Sequence, residues 1–142
     1  MRLAGPAVFV LALASSAAAA PTVTATLTTS TAAPVVGEPW RFVVTAESAA
    51  GKPLQARMRL QILRRGTVVG CWKGAAVTTC SGASAGTWIV FRGNRPGVIN
   101  WPARWLGMKL TFQATVLADA QTLRLRTPLS FRRRASSNAA SW

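Results

Sequence analysis

The chain has 142 residues, half of them hydrophobic, with seventeen Lys and Arg against three Asp and Glu, no His and a formal net charge of +14. The absence of His removes the commonest acid–base group, and the three acids, Glu38, Glu47 and Asp119, stand far apart in sequence. General acid–base catalysis and a metal centre therefore lack their usual parts, and no enzyme activity is expected.

The first segment reads as a leader. Arg2 supplies a positive charge, Leu3 to Ala14 is almost wholly apolar, and small residues run from Ser15 to Ala20. That order of charge, short apolar run and small residues marks a secretory signal peptide over residues 1–19, with cleavage after Ala19. The apolar run is shorter than the roughly 20 residues a spanning helix needs, and no later stretch is apolar enough to hold the mature chain in a membrane. A secreted protein, outside the cell or in its envelope, is expected.

From residue 20 to 131 the chain alternates with a period of two. Val23, Ala25 and Leu27 alternate with threonines, and Thr and Val suit a pleated, half-buried surface. Pro34 and Gly37 then mark a turn or strand switch. Trp40, Phe42, Val44 and Ala46 form the next face, which makes Trp40 a core residue. After a loop at Ala49 to Pro53, Met58, Leu60 and Ile62 alternate with Arg57, Arg59 and Gln61. A turn at Arg65-Gly66 leads into a short strand from Thr67 to Cys71.

Trp72 to Gly86 is glycine-rich and is expected to be a looped hairpin with weak strands. Cys71 directly precedes it and Cys80 lies within it, the chain's two cysteines. An exported chain with an even count pairs them, so a disulfide is expected here. Thr87 to Phe91 reads as a strand with Trp88 in the core, whereas Gly93 to Gly107 reads as irregular. Leu110, Phe112, Ala114 and Val116 alternate with Thr111, Gln113 and Thr115. A tight connection at Asp119 to Gln121 then leads to Leu123, Leu125, Thr127, Leu129 and Phe131, with Arg124 and Arg126 opposite. Pro128 lacks a backbone donor, which places this last strand at a sheet edge or at a bulge. Residues 132–142 form a basic, then Ser- and Ala-rich tail, expected to be disordered.

About seven short antiparallel strands, with turn signals between them and no helix, describe an all-β sandwich or barrel. The opening TVTATLTTSTAAPVVGEPWRFVVTA, the strand QARMRLQIL and the closing pair LTFQATVLADAQTLRLRTPLSF resemble the immunoglobulin-like and fibronectin type III-like domains of secreted bacterial proteins. The resemblance concerns architecture and implies an immunoglobulin-like β-sandwich. No cysteine pair is placed to join two sheets and there is no Tyr for a tyrosine corner, so no antibody-type binding site carries over.

In such a sandwich the third, sixth and seventh strands lie side by side. Arg57, Arg59, Arg124 and Arg126 would then flank a flat polar strip of Thr111, Gln113 and Thr115. That face is the candidate anion-binding site, because guanidinium groups take carboxylate and phosphate bidentately. The expected partner is an anionic cell-surface polymer or another protein; no specific nucleic acid and no cofactor is implied. A second reading is a carbohydrate- or protein-binding adhesion module that uses Trp72, Trp101 or Trp105 as exposed loop contacts. Burial of the same rings at the open ends of the sandwich competes with that reading.

Overall fold

Alternating Thr and apolar residues, set between turn signals, produce nine strands in the computed structural model, which describes residues 22–74 and 76–134. The signal peptide expected over 1–19 and the tail beyond residue 134 lie outside the described residues. The strands are β1 (Val23–Thr29), β2 (Pro39–Ser48), β3 (Gln55–Arg64), β4 (Thr67–Lys73), β5 (Ala76–Thr79), β6 (Ile89–Arg92), β7 (Asn94–Asn100), β8 (Lys109–Ala118) and β9 (Gln121–Ser130). One sheet has three strands in the order β1-β2-β7; the other runs β5-β4-β3-β8-β9, with β6 also paired to β3. All strand pairs are antiparallel. The fold is an immunoglobulin-like β-sandwich.

One strand, β7, comes from a segment read as irregular, and β5 is a weak strand of the expected looped hairpin. β5 forms because the hairpin closes back on β4, with Gly70 opposite Thr79 and Lys73 opposite Ala76. β7 forms in spite of Pro96 and Gly97 because it is an edge strand, where a missing donor is tolerated. Gly97 lies opposite Phe42, whose ring covers it so closely that a Cβ there would stand 2.2 Å from Phe42 Cζ. Only glycine fits beneath that ring. Gly93 (φ +76°) lets the chain pass directly from β6 in one sheet to β7 in the other.

The segment between β1 and β2 is a strand switch. β1 pairs with β2, after which the chain crosses to the end of β9, where Ser130 N donates to Ala32 O at 3.0 Å and Arg132 N to Pro34 O at 2.9 Å. Val36 N donates in turn to Arg132 O, so the backbone of Arg132 is tied into the sheet. β9 is an edge strand, the position Pro128 requires. Its hairpin with β8 turns on Asp119 (φ 47°) and Ala120 (φ 61°), the left-handed pair of a two-residue turn that matches strand twist.

The core between the sheets is aromatic. Trp40, Phe42, Trp72, Trp101, Trp105, Phe112 and Phe131 are all buried and pack edge-to-face or tilted. Trp40 meets Trp101 at 5.3 Å and Phe112 at 5.1 Å between ring centroids, within the range of favourable aromatic pairs. Trp40 Nε1 donates to Thr31 O at 2.7 Å, which satisfies its polar end.

Trp72, Trp101 and Trp105 are thus not exposed contacts. Trp72 is on the inward side of β4 because Cys71, its neighbour, points outward, and Trp101 and Trp105 close the end of the core against Phe131. Trp88 differs in the opposite sense. It precedes β6 and is only half-buried, lying on the outside of the sandwich against arginine side chains.

Candidate functional site

Strands β3, β8 and β9 are adjacent, and their register brings the arginines to one face. Arg59, Thr115 and Arg124 form one row across the sheet, and Gln61, Gln113 and Arg126 form the next. Arg57 lies one row away, opposite Leu117. Residues directly opposite in a pleated sheet share a face, so all four arginines are on the outer side of the larger sheet.

That face is not the flat strip the alternation implies. Cys71 and Cys80 form a disulfide, with 5.9 Å between Cα atoms, and it lies on the same outer side. With Leu63, Val68 and Ala85 it makes a small second cluster. The bridge starts a loop over residues 81–88 that folds back across β3. Arg59 fastens this loop. Its NH1 donates to Ser84 O at 3.1 Å, its NH2 reaches Ala83 O at 3.4 Å, and its guanidinium stacks over Trp88 at 4.5 Å. Arg57 approaches the same ring at 5.8 Å and opens onto a separate hollow beside Asp119. The four arginines therefore divide: Arg59 braces the loop, Arg57 faces another hollow, and Arg124 and Arg126 remain exposed on β9.

Between loop and β9 lies a groove of about 400 Å³. Gln61, Gln113 and Thr115 are its buried floor; Arg59, Arg124 and Arg126 line it, and Thr67, Val68, Gly82 and Ala83 make the far wall. No acidic residue lines it. Among the described residues the ion pair lies elsewhere, between Arg134 and Glu38 at 3.5 Å.

The floor is an ordered ladder of hydrogen bonds. Gln61 Nε2 donates to Ala83 O at 3.0 Å and to Ala85 O at 2.7 Å. Gln113 Nε2 donates to Gln61 Oε1 at 3.3 Å, and Arg126 Nε donates to Gln113 Oε1 at 2.6 Å. A backbone carbonyl accepts only and a guanidinium donates only, so the two ends force both amides into one orientation. Arg126 is held by Nε, which leaves its two terminal nitrogens to form a fork over the groove. The ladder was not legible in the alternation; the one trace in the sequence is that Gln61 and Gln113 both fall on outward positions of adjacent strands.

No protein-family model and no curated protein matches the chain. Among the solved structures to which the chain is similar at a low level are two chains. One is a DUF4466 family protein from Parabacteroides merdae, 14% identical with a TM-score of 0.44, the match covering 77% of this chain and 45% of that one. The other is a CARDB domain from Pyrococcus furiosus, solved in complex with di-metal ions, 14% identical with a TM-score of 0.41, covering 78% and 87%. The chain spans less than half the length of the first. At these values neither ligand nor role carries over.

Proposed function

We propose that the protein is an exported, non-catalytic binding module that docks on an anionic partner at the cell surface through the arginine-lined groove. The observation that carries this reading is the groove itself: Arg124 and Arg126 are exposed, Arg126 is oriented by Gln113, and no carboxylate lines the hollow. Successive outward residues on a strand are about 6.8 Å apart, so two guanidinium groups address neighbouring anionic groups. The leader-like first segment and the Cys71–Cys80 bridge support export to an oxidising compartment. A role without catalysis is supported by the lack of His and by the scatter of the acids: Glu38 pairs with Arg134, Glu47 is on β2 and Asp119 is in a hairpin turn. The adhesion reading through Trp72, Trp101 and Trp105 loses its support, since all three are buried.

The test compares two variants on a heparin-like resin. Arg124→Gln with Arg126→Gln removes two charges from the groove; Arg132→Gln, Arg133→Gln and Arg134→Gln removes three from the end of the chain. The groove variant should elute at clearly lower salt, because each lost contact to an anionic polymer makes binding less salt-dependent. Retention of the groove variant at the parental salt, with loss in the other, would overturn the reading.

A further inference from the structure

We propose that the groove is one end of a longer track that takes a linear phosphate polymer, running from Arg124 and Arg126 past Thr111 to Arg64, Arg65 and Lys109. The proposal rests on the anion-binding reading of this face and extends it to the class of ligand.

Continuity is the first observation. A hollow of about 190 Å³ around Thr111 shares Leu63, Gly66 and Arg126 with the main groove. Beyond it a third hollow, about 380 Å³, is lined by Arg64, Arg65, Gly107, Met108 and Lys109. These two hollows share no lining residue but are lined by consecutive ones at the β3–β4 turn, Leu63 and Gly66 in one flanking Arg64 and Arg65 in the other. The register explains why: Leu63 lies opposite Thr111, so the residues just beyond, Arg65 and Lys109, fall at the same end of the sheet. From the level of Arg59 to Arg65 the track covers roughly 20 Å at about 3.3 Å per residue, several phosphate groups long. All three added cations are exposed, and among the described residues none is paired with an acid.

The second observation is the imbalance between donors and acceptors. The ladder already uses Gln61 Oε1, Gln113 Oε1 and the carbonyls of Ala83, Ser84 and Ala85 as acceptors. What it leaves facing the groove is mainly donors, the second N–H of Gln113, the fork of Arg126 and the guanidinium of Arg124, beside the hydroxyls of Thr67 and Thr115, which can donate or accept. A hydroxyl-rich acidic polysaccharide brings its own donors and needs acceptors here. A phosphate chain offers oxygen acceptors alone, and so matches the surface.

The third is the lack of a stacking platform. Trp72, Trp101 and Trp105 are buried, and Arg59 occupies the face of Trp88. Single-stranded nucleic acids are held by base stacking as much as by charge, and among the described residues no aromatic ring lines the groove or the two hollows beyond it.

The experiment measures binding of long-chain inorganic polyphosphate and of tripolyphosphate to the full chain, over a salt series. The variants are Arg64→Gln, Arg65→Gln and Lys109→Gln together, and Arg124→Gln with Arg126→Gln. Long-chain affinity should fall roughly tenfold or more in both, and the triple variant's log–log salt slope should be shallower by about two. Tripolyphosphate affinity should fall only in the Arg124/Arg126 variant, because a short anion does not reach the far hollow. Thermal melting of the triple variant should match the parent, as its three side chains are exposed, whereas the Arg124/Arg126 variant should melt somewhat lower but still cooperatively, because Gln113 Oε1 loses its donor. Long-chain binding unchanged in the triple variant would overturn the track while leaving the groove reading intact. Indifference of both ligands to Arg124 and Arg126 would instead overturn the groove reading. Equal or tighter binding of polygalacturonate or of single-stranded DNA at the same salt would overturn the ligand class.

Discussion

Replacing Gln61 by Leu cuts the hydrogen-bond ladder at its middle without changing its volume greatly. The native amide makes three hydrogen bonds: two donated to the loop carbonyls of Ala83 and Ala85 and one accepted from Gln113. Ala83 is exposed, so its carbonyl turns to water at little cost, whereas Gln113 is only 5% exposed and keeps an amide N–H with no acceptor. An orphaned buried donor costs about 1–3 kcal/mol, and the lost tie to the half-buried Ala85 adds about 1 kcal/mol. Gln61→Leu should therefore destabilise the domain by about 2–4 kcal/mol. Gln113→Leu leaves Gln61 Oε1 orphaned in the same way, while Arg126 Nε, on an exposed residue, finds water; about 1–3 kcal/mol is expected. In the double variant both partners of the Gln61–Gln113 bond are gone and neither orphan remains. Its cost should fall below the sum of the singles by about 1–2 kcal/mol, as the coupled members of one network do. Urea unfolding of the four proteins, with unchanged m-values, measures the cycle. Additivity to within about 0.5 kcal/mol would refute the ladder as described, because each amide would then have a partner other than the next one.

Gly97→Ala should destabilise by at least about 1–3 kcal/mol, since its Cβ would stand 2.2 Å from Phe42 Cζ and that ring is held between Trp72 and Phe112. Thermal melting checks it, with a fall of about 5 °C or more expected and an unchanged midpoint contradicting the close packing. Reducing the Cys71–Cys80 bridge should lower stability by at most about 3 kcal/mol, the loop-entropy value for cysteines nine positions apart. The domain should still melt cooperatively with the bridge open, because the aromatic core lies on the other face of β4. Loss of the cooperative transition on reduction would show that the disulfide, and not the core, carries the fold.

The sandwich and the inward faces of most strands were legible in the sequence because side chains alternate with a period of two whatever the strand pairs with. Trp40, Phe42, Phe112 and Leu129 could be assigned to the core, and Arg59 and Arg126 to the outside, on alternation alone. Pro128 could be placed at an edge from its missing donor. What alternation does not carry is any property that depends on two distant segments meeting. Pro96 and Gly97 signal irregularity locally, yet β7 forms, because an edge position tolerates the proline and the Phe42 ring requires the glycine. Trp72, Trp101 and Trp105 carry no local mark that separates an exposed loop ring from a buried one; packing of Trp72 against Phe42, and of Trp101 and Trp105 against Phe131, made that choice. The groove depends on such meetings most of all. Gln61, Gln113 and Arg126 come from three strands, and the carbonyls that orient them belong to a loop held across β3 by the disulfide, Arg59 and Gln61 itself. Sequence determined which face the arginines share, since that follows from the pleat. Tertiary structure alone determined which of them remain exposed in a groove and which brace the loop, since a hydrogen bond needs both partners in place.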